Sequence, residues 1–104
     1  MSALNNPGIN CNDVPADFPS ADDTDAAARW ADWGVCDELS KYLARECLDA
    51  KARAHRAERP VDILLKSYLR TAVLGWGEPA ELRWVFRRVA VLLAWPAPDA
   101  VRRP

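Results

Sequence analysis

The segment from Pro79 to Trp95 constrains this chain more than any other stretch, because it is apolar on two opposite sides. At 100° per residue, Leu82, Val85, Phe86, Val89, Leu92 and Leu93 share one side of a helix. Trp84, Val91 and Trp95 fall together on the other. A helix that is apolar nearly all round is either buried in the middle of a bundle or handed to a partner, and 104 residues leave little middle. The sequence leaves both readings of the second stripe open, core and interface.

That length suits one domain, and 50% hydrophobic with 28% charged residues is an ordinary globular balance. Arg70, Arg83, Arg87 and Arg88 interrupt every apolar run before it could span a bilayer, so no membrane partner is expected. No Lys or Arg precedes Arg29, which fits neither a secretory signal nor a mitochondrial presequence. Cys11, Cys36 and Cys47 are an odd number and cannot all pair within one chain. Free thiols and a cytoplasmic location are the expectation.

The segmentation follows from breakers and caps. Residues 1–19 hold Pro7, Gly8, Pro15, Pro19 and several asparagines, which predicts an arm with Leu4, Ile9, Val14 and Phe18 spaced along it. That arm is either pinned to the domain or disordered. Residues 20–95 are read as the helical bundle and 96–104 as a Pro/Arg-rich tail. Ser20 with Asp23 predicts the start of a short first helix carrying Trp30 and Trp33, ended or bent at Gly34. A second helix follows from Val35 to about Ala57, with Cys36, Leu39, Leu43, Cys47, Ala50 and Ala54 as one seam. Pro60 opens a third, Pro60–Leu74, burying Val61, Leu64, Leu65, Tyr68, Leu69 and Ala72. Gly75 and Gly77 make the turn, and Pro79 opens the last. The fold class is therefore all-α, a small bundle of three main helices plus a short N-terminal helix and an extended arm.

No residue set promises catalysis. His55, the single histidine, reads as a solvated helix residue, and no nucleophile elbow, zinc-protease motif or phosphate loop is present. Cys36 and Cys47 lie roughly 16 Å apart along one helix, too far to share a metal, and suit core packing instead. No cofactor is implied. A helix-turn-helix is a poor match: taking Gly75 as the turn glycine puts Arg70 and Glu81 at core positions, and Gly77 puts Glu78 and Arg83 there. Specific DNA binding is thus not expected.

Partner binding is the preferred expectation, because Trp and Arg dominate interface hot spots. Trp76, Trp84, Arg87, Arg88, Val91 and Trp95 are the candidate contact residues, with a homodimer through the last helix as one form of contact. Charge is divided: residues 1–40 carry eight acids and one base, and residues 41–104 seven acids and thirteen bases. Asp13, Asp17, Asp22, Asp23, Asp25 and Asp32 form a candidate acidic surface able to compete for a nucleic-acid-binding site. The expected role is a regulatory or inhibitory module acting on a larger protein or nucleoprotein complex, as many phage and mobile-element factors do. The alternative is a DNA-associated regulator using Lys41, Arg45 and Arg56 on one helix face and Arg87 and Arg88 on another.

Overall fold

The computed structural model describes residues 14–19, 25–53 and 58–103, and every regular element among them is a helix. In chain order these are α1 (Ala26–Arg53), α2 (Pro60–Val73), α3 (Pro79–Leu93) and the single turn α4 (Asp99–Arg102). None is long and apolar enough to cross a membrane.

Asp25 starts α1. Its carboxylate accepts the Ala28 N–H at 2.7 Å and its carbonyl the Arg29 N–H at 2.9 Å, which satisfies two otherwise orphaned donors. Ser20, the expected cap, lies outside the described residues. The expected break at Gly34 is corrected: α1 runs through it as one helix of 28 residues. Glycine in a helix interior costs about 1 kcal/mol relative to alanine. Trp30, Trp33 and Cys36, which pack on the core from either side of it, offset that cost.

The buried line of α1 is Cys36, Ser40, Leu43, Ala44 and Cys47. All but Leu43 are small, which lets the backbone of α3 approach closely. The Ser40 hydroxyl is satisfied inside this contact, donating to the Cys36 carbonyl at 2.8 Å and reaching the Val85 carbonyl at 3.5 Å. Leu39 and Ala50 are only half-buried, and Ala54 lies outside the described residues.

Pro60 sits at the start of α2 with Arg59 held extended before it, as the proline ring requires. Lys51 donates to the Glu58 carbonyl at 3.0 Å, Lys66 pairs with the Glu58 carboxylate, and Arg59 pairs with Asp62 at 2.9 Å. The residues that α2 buries are Ile63, Leu64 and Ser67, while Leu69 and Ala72 are exposed and Val61, Leu65 and Tyr68 half-buried. The expected stripe is thus rotated. In the run Val61–Leu65 periodicity alone does not select the inward residue, and the edge-to-face packing of Tyr68 on Phe86, 5.6 Å between ring centroids, fixes the register.

α3 is the middle of the fold, packed against α1, α2 and α4. Val85, Phe86 and Val89 are fully buried and Leu82 and Ala90 nearly so, while Leu92 at the edge of the stripe is 43% exposed. Trp84 points the other way and is nevertheless buried, because Phe18 of the arm packs on it in a T-shaped pair, 5.1 Å between ring centroids with ring planes at 89°. The helix ends at Leu93, short of the expected Trp95. Ala94 adopts the left-handed conformation and the Trp95 N–H bonds to the Ala90 carbonyl at 2.9 Å, the usual way of closing a last turn. The stretch after Trp95 then turns back as α4 and seats Val101 in the core.

Two stability predictions follow from this packing. Gly34→Ala meets open space within a regular helix, so it raises stability by about 0.5–1 kcal/mol in a thermal or urea melt. Phe18→Ala removes the cover of Trp84 and lowers stability by about 3–5 kcal/mol in the same assay.

Candidate functional site

The arm is held by a turn and a clasp. The Phe18 N–H bonds to the Pro15 carbonyl at 3.1 Å, closing a tight turn with Asp17 at its exposed tip. Arg29 from the first turn of α1 donates to the carbonyls of Pro15 at 3.1 Å and Phe18 at 3.0 Å. A guanidinium bonded to two carbonyls fixes the turn against α1 and directs Val14 and Phe18 into the core.

The arm ends its cover part-way along α3. One turn beyond Trp84, the outward side of the helix opens into a pocket of ≈ 260 Å³ lined by Pro15, Asp17, Trp84, Arg87, Arg88 and Val91. Its apolar lining is Trp84 and Val91, the latter 67% exposed. Arg87 is immobilised on the C-terminal turn, donating to the carbonyls of Val101 at 2.9 Å and Arg103 at 3.3 Å. Arg88 is exposed and makes no hydrogen bond or ion pair among the described residues. An apolar lining beside one fixed and one free guanidinium suits an apolar side chain flanked by a carboxylate.

Of the candidate contact residues, Trp84, Arg87, Arg88 and Val91 meet at this pocket. Trp84 contributes from beneath rather than as an exposed anchor. Trp95 is half-buried past the end of α3, and Trp76 lines a separate groove between α1 and α2. The acidic set does not gather: Asp17 is on the pocket rim, Asp25 is used as the cap of α1, and Asp32 is exposed on α1. Asp13, Asp22 and Asp23 lie outside the described residues, as do His55, Arg56 and Cys11. The basic face is no more assembled, since Lys41 is engaged by Asp37 at 3.2 Å and Glu38 at 3.6 Å.

Val14 and Phe18 belong to the core although they precede the helical domain as read from the sequence. Their i,i+4 spacing just ahead of the acidic stretch was the available signal. Cys36 and Cys47 are buried thiols. Burial, reinforced by the charges of Glu81 and Asp32, pushes Cys36 up to about 12, and burial also raises Cys47 against a hydrogen bond from Ser67. Neither thiol is an activated nucleophile.

No protein-family model, no curated protein and no solved structure matches the chain. The pocket and its surroundings therefore carry the functional reading alone.

The raised Cys36 thiol has a stability consequence. The folded chain holds a proton that the unfolded chain releases near pH 9, so its contribution is complete below pH 9 and is lost as pH rises toward 12. Urea melts at pH 8, 9.5 and 11 should show stability falling across that window, and Cys36→Ala should flatten the fall.

Proposed function

We propose that this chain is a small non-enzymatic protein-binding module, regulatory or inhibitory, that occupies part of the surface of a larger protein or nucleoprotein complex through the arm–α3 pocket. One observation carries the reading: Arg88 and Val91 stay open to solvent on the outward side of α3, where Trp84 on the same side is covered. Exposed apolar surface next to an unpaired arginine is the composition of an interface centre, where Arg and aromatic residues contribute most. The segment that fits is acidic with an apolar anchor, the anchor on Trp84 and Val91 and the carboxylate on Arg88. Asp17 on the rim disfavours a second acid on that side and so gives the bound segment a direction.

The test is a binding titration. A partner identified by pull-down from the native host is purified and titrated against wild type, Arg88→Glu and Val91→Asp. Both variants should weaken the complex at least roughly tenfold, about 1.4 kcal/mol, with melting temperature nearly unchanged because both positions are exposed. Asp32→Ala on α1 should bind as wild type. Equal affinity of all four proteins for the partner would remove the pocket from the proposal.

A further inference from the structure

A second open surface, sharing no residue with the arm–α3 pocket, lies between α1 and α2. Leu39, Tyr42 and Glu46 on α1 and Arg70, Leu74 and Trp76 across from them line a groove of ≈ 420 Å³. Its lining includes exposed apolar side chains: Tyr42 is 55% exposed and Leu74 78%. Isolated exposed apolar residues are common, but a protruding leucine, a tyrosine and a tryptophan around one groove are not scattered singly.

The charges on the rim identify what covers it. The Glu46 carboxylate accepts the Tyr42 hydroxyl at 2.8 Å; among the described residues it forms no ion pair, and the Arg70 guanidinium makes no hydrogen bond or ion pair. Among the described residues, one acid without an ion-pair partner thus stands on the α1 wall and one such base on the α2 wall. A partner of uniform charge would be matched by a rim of one sign. A rim with one acid and one base on opposite walls matches its own copy, because a two-fold axis through the groove brings the α1 wall of each molecule to the α2 wall of the other. The apolar relief follows the same rule, with a projecting residue, Leu74, and a receiving groove on a single face.

We infer that this groove is the interface of a homodimer, each protomer seating Leu74 in the groove of its partner and pairing Glu46 with Arg70 of the other copy. This places the self-association surface on α1 and α2 and away from α3. It leaves the arm–α3 pocket of each protomer available.

Charge reversal tests it in a way that only a second copy can satisfy. In sedimentation velocity over roughly 5–500 μM, wild type should shift from monomer to dimer with concentration. Glu46→Arg alone, or Arg70→Glu alone, sets like charges together twice across the axis and should weaken self-association at least roughly tenfold. An equimolar mixture of the two variants should recover the dimer, since each charge then meets its opposite, and so should the double variant. Leu74→Arg should abolish association with circular dichroism unchanged, and Arg88→Glu should leave it intact. A wild type that stays monomeric throughout overturns the inference. So do single reversals that associate like wild type, or a mixture that shows no recovery, both of which would leave the groove to a segment of another protein.

Discussion

The edge-to-face contact between Phe18 and Trp84 is what lets α3 be apolar on opposite sides. Without it, a large indole on the outward face of the central helix would stand in water, and the arm would have no reason to lie where it does. Burying a ring of that size contributes on the order of 2–3 kcal/mol, and the edge-to-face geometry adds about 1 kcal/mol. The turn at Pro15–Phe18 and the Arg29 clasp follow from that requirement, since an aromatic ring at the end of a short arm is useful only if its backbone is held. Val101 and the carbonyls that receive Arg87 do the same from the other end of the chain.

On its inward side α3 depends on the smallness of α1. Cys36, Ser40, Ala44 and Cys47 give up side-chain volume so that Val85, Phe86 and Val89 can be fully buried. A serine hydroxyl in such a seam would be costly if left unmade, and its bond to the carbonyl one turn back resolves that cost locally. The same seam explains why Gly34 does not interrupt the helix. The chain on both sides of it is anchored by aromatic and sulfur contacts whose summed burial exceeds the propensity loss at one residue.

Much of this was legible in the sequence. Pro60 and Pro79 each open a helix, as their fixed φ and missing N–H dictate, and Leu64, Leu82, Val85, Phe86 and Val89 are core as their spacing requires. The misreadings share a cause. Gly34 and the rotation of α2 both turn on which neighbour packs against a residue, which no local pattern encodes. The second stripe of α3 was visible as an excess of apolar residues, but whether that excess was core or interface depended on Phe18, distant in sequence. The outcome is divided along the helix: Trp84 is covered, and Val91 is open. The Glu46–Arg70 rim was not readable at all, because two charges on separate helices acquire meaning only once their walls face each other across a groove.

The two open surfaces differ in net charge, and that difference underlies the separate roles proposed for them. At the arm–α3 pocket two arginines outweigh one aspartate, a field that favours an acidic segment from elsewhere and disfavours a second copy of the same basic face. At the α1–α2 groove acid and base balance, which favours self-pairing and offers no net attraction to a charged partner. A dimer closed through the groove would present two identical basic pockets. Once one is engaged, the second meets a repeated or oligomeric target at an effective concentration set by the rigid distance between them rather than by free diffusion. Weak individual contacts in pockets of this small size would then suffice for a regulator, provided that its target also displays its acidic segment more than once.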